Sequence, residues 1–139
     1  MATTLKAGVI GAGILGTQHA TYLHGRADVQ VAAIADLRRD AAERLAARVG
    51  AQPYTDYVEM LREQALDLVV VATPDALHRA PTVAALHAGV PNILQEKPLA
   101  TTLEDAEAIC NLVEQKGARL FVHYANRASP LDIATCHVL

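Results

Sequence analysis

The feature that most constrains the fold is the segment Gly11-Ala-Gly13-Ile14-Leu15-Gly16. It follows a short apolar run and precedes a stretch whose pattern predicts a helix. In such a turn Gly11 permits the tight bend, Gly13 lets a pyrophosphate approach the backbone, and Gly16 lets the helix lie close to the strand. The first turn of that helix offers unpaired N–H groups to phosphates. The segment therefore predicts a dinucleotide-binding turn, within which Ile14 and Leu15 also lie.

Short apolar runs alternate with amphipathic stretches along the chain, as in repeated βαβ units. The order predicts an α/β fold of the Rossmann type, a doubly wound parallel sheet with helices on both faces. The run 66–72 is mostly aliphatic, as in a central strand buried on both faces. Strands are expected at 7–10, 29–35, 52–54, 66–72, 91–95 and 119–124, and helices at 14–24, 39–49, 56–63, 79–88 and 102–116, with N-caps at Thr55 and Thr101.

An acidic residue follows the second predicted strand. Asp36 lies 20 residues after Gly16, where a dinucleotide-binding fold places the carboxylate that accepts hydrogen bonds from the ribose. The alternative is that Asp36 only closes the turn before the next helix. Its charge favours NAD, because a 2′-phosphate beside it would meet like charge. Arg38 and Arg39 follow, and either could pair with that phosphate, so NADP stays open.

Composition excludes several classes of protein. The 139 residues are 52% hydrophobic and 19% charged with a net charge of −3, which indicates a globular domain with no electrostatic reason to bind nucleic acid or a membrane. The two cysteines form neither a disulfide framework nor a metal-ligand cluster, so no metal site is predicted. The N-terminus does not resemble a signal peptide, and a cytoplasmic location is expected.

Further motifs follow the later predicted strands, at the edge where open parallel sheets bind ligands. These motifs are Thr73-Pro74 with His78, Glu96-Lys97-Pro98, and Asn126-Arg127 with Pro130. Together with the glycine turn, they make the sequence resemble the N-terminal domain of the Gfo/Idh/MocA family, which is named after glucose–fructose oxidoreductase, inositol dehydrogenase and a rhizopine-catabolism protein. The Glu-Lys-Pro motif is the most specific of them.

The resemblance implies an NAD(P)-dependent oxidoreductase that transfers hydride at a sugar, inositol or polyol hydroxyl. It implies that Lys97 reaches the nicotinamide and substrate, where its ammonium binds the hydroxyl and assists deprotonation. Without the resemblance, Lys97 would be a surface lysine before a turn-forming proline, a bond whose isomer the sequence leaves open. Glu96 is expected to contact the cofactor or to orient Lys97.

The remaining positions of the motifs are expected in the cofactor pocket. Thr73 and Pro74 would line the crevice near the nicotinamide, and His78 would help to shape it. Arg127 is the weakest of these assignments, because alanine follows it where the family commonly has an aromatic residue. His19, His24, His87 and His123 are predicted to be packing or surface residues, and Cys110 is predicted to lie in the core.

The resemblance divides the chain at residue 125. Residues 1–125 are expected to form the dinucleotide-binding domain and residues 126–139 to begin a linker helix toward the family's second α/β domain, which binds substrate and is absent from these 139 residues. We therefore expect a truncated form that binds a dinucleotide, and a sugar or polyol only if a second domain is supplied. The alternatives are a non-catalytic NAD(H)-binding module and a regulatory Rossmann domain. The surface around Tyr124 and 131–139 is expected to be apolar and to promote self-association.

Overall fold

A computed structural model describes residues 4–125. Strands and helices alternate through this range, with one 3₁₀ turn at Asp75–Leu77. The strands are β1 Leu5–Ile10, β2 Val29–Ala35, β3 Gln52–Tyr54, β4 Leu68–Val71, β5 Asn92–Glu96 and β6 Arg119–His123. The helices are α1 Ile14–His24, α2 Arg39–Val49, α3 Tyr57–Glu63, α4 Arg79–His87 and α5 Leu103–Lys116.

All six strands are parallel and form one sheet in the order β3-β2-β1-β4-β5-β6. This is the strand order of the Rossmann fold, so the predicted fold class is confirmed. The chain leaves β1 toward β2 on one side, and later places β4 on the other side of β1. Ligands bind outside the carboxyl ends of the strands at such a reversal point. The fold therefore brings the turns after β1, β2, β4 and β5 to one edge.

The core has two layers, one on each face of the sheet. Adjacent residues of β4 alternate between them, with Val70 in one layer and Val69 and Val71 in the other. One layer packs against α1 and α2, through residues such as Ala20 and Leu45. The other packs against α3, α4 and part of α5. These three valines of β4 are fully buried, which confirms the prediction of a central strand covered on both faces.

Several local predictions were wrong by one or two residues. The N-cap of α3 is Asp56, whose Oδ1 accepts a hydrogen bond from the backbone N–H of Val58, and not Thr55. The N-cap of α5 is Thr102, whose hydroxyl accepts from the backbone N–H of Asp105, and not Thr101. β4 is also shorter than the apolar run that predicted it. In both helices two adjacent polar residues can each serve as the N-cap, and tertiary packing decides which of them does.

The prediction for Cys110 was also wrong. Its thiol lies on the exposed side of α5, whereas the buried residue of that helix is Ile109. The helix packs mainly against α4, and Leu112 and Val113 on its inner side are only partly buried, so only a narrow stripe of it is covered. No helix among residues 4–125 is long and apolar enough to span a membrane.

Candidate functional site

The glycine turn has the geometry that its sequence predicts. Gly11 has φ of 102°, and a Cβ there would overlap the carbonyl group of Ala72 at the end of β4. A Cβ on Gly16 would overlap the carbonyl oxygen of Gly11. By contrast, apart from Gly13 itself and its neighbours along the chain, no heavy atom of the described residues lies within 4 Å of where a Cβ on Gly13 would be. Gly11 and Gly16 thus serve the packing of the turn, while Gly13 leaves open space at the N-terminus of α1.

Asp36 links the glycine turn to the turn after β2. Its Oδ2 accepts a hydrogen bond from the backbone N–H of Ala12 at 2.7 Å, and its Oδ1 accepts from that of Arg38 at 2.9 Å. The Arg38 guanidinium lies 3.7 Å from Oδ1 and its side chain is mostly exposed. The carboxylate therefore closes the β2–α2 turn, as the alternative interpretation holds. It also lies directly beside the glycine turn, as ribose binding requires.

His78 connects the turns that follow β4 and β5. The side chain is buried, with Nε2 2.8 Å from the carbonyl oxygen of Thr73 and Nδ1 2.7 Å from that of Pro98. A neutral imidazole has one N–H and can donate to only one of these oxygens, whereas an imidazolium donates to both. In either form the ring holds the Thr73-Pro74 turn next to the Lys97-Pro98 turn, whose peptide bond is cis.

A second buried side chain supports the turn after β5. The amide nitrogen of Gln95 donates to the carbonyl oxygens of Pro98 and Leu99 at 3.0 and 2.8 Å. Its Oε1 accepts a hydrogen bond from the buried hydroxyl of Thr82 at 2.7 Å. Lys97 itself is exposed at the carboxyl edge of the sheet. Lys97 therefore extends toward solvent from a turn whose backbone is held by the hydrogen bonds of the buried Gln95 side chain.

The side chain of Glu96 lies on the face of the sheet opposite to that of Gln95, where it contacts two histidines. Its Oε1 lies 2.6 Å from Nε2 of His19 on α1 and 2.8 Å from Nδ1 of His123 on β6. Burial alone would raise the pKa of Glu96, but the hydrogen bonds from the two imidazoles outweigh that effect and hold the pKa below its usual value. The Glu96 carboxylate is therefore ionised, although the residue is only 4% exposed.

The structure brings most of the predicted site residues to one edge. Ile14 and Leu15 are exposed in the first turn of α1, and Leu37 beside Asp36 is 85% exposed. Pro74 is exposed at the turn after β4, and Tyr124 is 54% exposed after β6. Arg127 and the segment 126–139 lie outside the described residues. The binding roles of these residues stay predictions.

Sequence reasoning missed the partners that support this edge. Gln95 and Thr82 are polar residues in a strand and a helix, and no motif marks them. His19 and His123 were interpreted as packing or surface residues, although both contact Glu96. The available signal was positional: His123 ends the last strand at the same edge as Glu96, and the two are paired in register across β5 and β6.

The residues present fit a dinucleotide. Space is open at Gly13, and the first turn of α1 carries no acidic residue that would repel a phosphate. The hydroxyl oxygen of Thr73 is buried, yet it has no hydrogen-bond partner among the described residues. A buried hydroxyl without a partner is uncommon and costs free energy, so a ligand that pairs with it would relieve that cost.

An all-parallel sheet in this order, with a glycine turn at the reversal point and an aspartate after β2, defines a dinucleotide-binding domain of the Rossmann class. Within this class the family is shown by a family model described as "Oxidoreductase family, NAD-binding Rossmann fold", which matches residues 5–124. The chain belongs to this Gfo/Idh/MocA family. The resemblance and the cofactor class predicted from the sequence are thereby confirmed.

Similar proteins include inositol dehydrogenases. Inositol 2-dehydrogenase 1 of Saccharopolyspora erythraea is 36% identical over 131 residues, which cover 91% of this chain and 39% of that protein. Inositol 2-dehydrogenase of Corynebacterium glutamicum is 38% identical over 120 residues, which cover 84% of this chain and 34% of that protein. The chain thus spans less than two fifths of the length of these relatives.

Solved structures agree with the fold. A protein from gentamicin A biosynthesis, solved in complex with NAD, superposes with a TM-score of 0.91 at 28% identity, covering 99% of this chain and 39% of that one. A 3-ketoreductase from Actinomadura kijaniata, solved with NADP, superposes with a TM-score of 0.87 at 28% identity, covering 98% and 44%. Both cofactors therefore occur among structures similar to this chain.

Proposed function

We propose that the chain is the NAD(P)-binding half of an oxidoreductase that transfers hydride at a sugar, inositol or polyol hydroxyl carbon. The observation that carries the proposal is that the open glycine turn, Asp36 and the Glu96-Lys97 pair share one edge of the sheet. Family membership and the similarity to inositol dehydrogenases support the same reaction class. The second candidate is a module that binds NAD(H) without turnover.

The cofactor would be held along the carboxyl edge. The backbone from Gly11 to Gly16 faces the phosphates, and the Asp36 carboxylate accepts hydrogen bonds from the adenosine ribose. Thr73 and Pro74 lie at the end of β4, where they would line the nicotinamide half, with His78 holding their turn in place. When bound, the nicotinamide ring supplies the hydride acceptor or donor.

Lys97 would bind the substrate hydroxyl through Nζ and ease the loss of its proton as hydride leaves the carbon. The position of Nζ depends on the backbone of the turn, which Gln95 and His78 hold through the carbonyl oxygen of Pro98. Glu96 points away from this turn toward its two histidines, so it would act on Lys97 by fixing the end of β5. Arg127 is proposed as a further cofactor contact on the family motif alone.

NAD is proposed over NADP because Asp36 would face a 2′-phosphate with like charge. Calorimetric titration of the chain with NADH and NADPH should show tighter binding of NADH. Asp36→Ala should weaken NADH at least about tenfold and reduce the preference, since the ribose acceptor and the repelling charge are both removed. Asp40→Ala is the control, because Asp40 forms an exposed pair with Arg44 on α2. An unchanged preference in Asp36→Ala would contradict the assignment.

Reduction of NAD⁺ by the chain in the presence of inositol or another polyol separates the two candidates. Once a second domain from a similar protein is supplied, the oxidoreductase candidate predicts turnover that Lys97→Ala abolishes while NADH affinity is retained, with Lys116→Ala at the end of α5 as the control. NADH binding without turnover by any polyol, also after a second domain from a similar protein is added, would favour the binding module. Absence of binding to either dinucleotide at millimolar concentration would eliminate both candidates.

Self-association is proposed for the surface near β6. Phe121 and Tyr124 are both more than half exposed at this edge of the sheet, and an exposed apolar patch beside an edge strand favours association. Sedimentation velocity over a range of concentrations should show a dimer or larger species. Phe121→Ser should shift the distribution toward monomer, and a concentration-independent monomer in the unmodified chain would contradict the proposal.

A further inference from the structure

Three donor groups from three separate elements converge on one point beside the proposed cofactor edge. Nε2 of His19, a carboxylate oxygen of Glu96 and Nδ1 of His123 all lie within 4.8 Å of one another. We propose that this His19–Glu96–His123 cluster binds a divalent transition-metal ion such as Zn²⁺. The proposal is independent of dinucleotide binding, and its test needs neither cofactor nor substrate.

The chemistry of the donors suits such an ion. Two imidazoles and one carboxylate form the ligand set of catalytic zinc sites, and the same set binds iron(II) in other proteins. Imidazole nitrogens favour zinc and similar ions over Mg²⁺ or Ca²⁺, which take mainly oxygen ligands. The cluster is therefore suited to a borderline-soft metal ion and poorly suited to the hard cations.

The electrostatics of Glu96 favour a cation at this point. The carboxylate is buried, and among residues 4–125 no lysine or arginine nitrogen lies within 4.0 Å of it. Its side-chain partners are instead two imidazoles that share one oxygen atom, Oε1. A buried carboxylate normally pairs with a full positive charge or coordinates a metal. A bound divalent ion would supply such a partner.

The distances require only a small rearrangement. Tetrahedral zinc, with ligand bonds of about 2.0–2.2 Å, separates its donor atoms by about 3.4 Å. The two histidine nitrogens now lie 2.6 and 2.8 Å from the Glu96 oxygen, so each must move outward by less than about 1 Å. The ring planes are inclined at 75° with centroids 5.0 Å apart, so the rings approach from different directions and do not stack.

One of the three side chains is exposed enough to leave access for an ion. The side chains of His19 and Glu96 are 14% and 5% exposed, whereas that of His123 is 40% exposed. An ion can therefore enter past His123, and water can complete its coordination on that side. Three protein ligands with one open position is the arrangement of catalytic rather than structural zinc sites. In each histidine the metal would take the place of the proton now directed at Glu96.

Binding of Co²⁺ and Zn²⁺ to the full chain tests the proposal. The experiment uses a Cys110→Ser, Cys136→Ser background, so that thiols do not contribute. Co²⁺ should bind one to one, with the visible absorption of a four- or five-coordinate ion, and Zn²⁺ should displace it. His123→Gln, which changes the most exposed ligand, should weaken Zn²⁺ at least about tenfold in competition with a chelating dye. His24→Gln, His87→Gln and His137→Gln should leave it unchanged.

Circular dichroism of each variant excludes loss of fold as the cause of weaker binding. The unmodified chain provides a test that needs no variant: a lack of stoichiometric Co²⁺ binding at micromolar concentration would overturn the proposal. Equal Zn²⁺ affinity in His123→Gln and His87→Gln would also overturn it, because the bound metal would then be held elsewhere. Loss of Zn²⁺ binding in a folded His123→Gln variant, with NADH binding retained, would establish the site separately from the dinucleotide function.

Discussion

The two halves of the carboxyl edge are built by different means. Around β1 and β2 the site consists of backbone, because the glycines leave space and Asp36 joins two main-chain N–H groups. Around β4 and β5 it consists of buried polar side chains that hold two turns through carbonyl oxygens. Backbone requirements are visible in a sequence as glycines, whereas side-chain networks are not. This difference explains which parts of the site the sequence predicts.

The largest effect is expected in the glycine half. Gly16→Ala should destabilise the chain by at least about 3 kcal/mol, because the new Cβ overlaps the carbonyl oxygen of Gly11. This oxygen belongs to the backbone and cannot move aside as a flexible side chain can. Gly13→Ala, with open space around it, should change stability by no more than about 0.5 kcal/mol, yet weaken NADH at least about tenfold. Urea unfolding measures the stability of the Gly16→Ala and Gly13→Ala variants, and titration measures their affinity for NADH. Equal stability losses in both variants would refute the division between packing and binding glycines.

In the half of the edge that is built from buried side chains, Thr82→Val should cause a smaller loss of stability. Thr82 is fully buried and its hydroxyl donates to Gln95, so valine leaves the amide oxygen of Gln95 unpaired in the core. The expected cost is about 1–3 kcal/mol of unfolding free energy. Exposed Thr101→Val is the control for the loss of a hydroxyl. A cost equal to that of the control would show that the Gln95 network does not support the turn after β5.

The sequence predicted the order of strands and helices because their signals are local. An apolar run predicts a strand, a glycine ends a helix, and the spacing from Gly16 to Asp36 depends on one βαβ unit. The exact caps at Asp56 and Thr102 were missed, since each choice lies between adjacent residues that can both cap.

The contacts that organise the second half were out of reach for a different reason. His19 and Glu96 are 77 positions apart, and His123 follows Glu96 by 27, so their meeting depends on the assembled sheet. Glu96 looks like an exposed acidic residue at a strand end, yet it is buried against two imidazoles. The family motif directs attention to Lys97 beside it and says nothing about these partners.

The cap of α5 is expected to give a loss of about 1 kcal/mol. Thr102→Ala removes the acceptor for the Asp105 backbone N–H and should cost about that much unfolding free energy. Thr101→Ala, one residue earlier, should change stability by no more than about 0.5 kcal/mol. Urea unfolding of the two variants decides between the cap in the structure and the cap first predicted. A larger loss in Thr101→Ala would favour the sequence-based assignment.

No loss of stability is expected where the two halves meet, in Thr73→Val. The Thr73 hydroxyl is buried without a partner among residues 4–125, so an isosteric valine removes an unpaired polar group. Stability without cofactor should stay the same or rise by up to about 1 kcal/mol, the opposite sign to Thr82→Val. If the hydroxyl is reserved for the cofactor, NADH affinity should fall although the fold is no weaker. A stability loss above about 1 kcal/mol in the chain without NADH would mean that the Thr73 hydroxyl stabilises the fold. Its role would then be like that of the Thr82 hydroxyl, which pairs with Gln95, and not that of a cofactor contact.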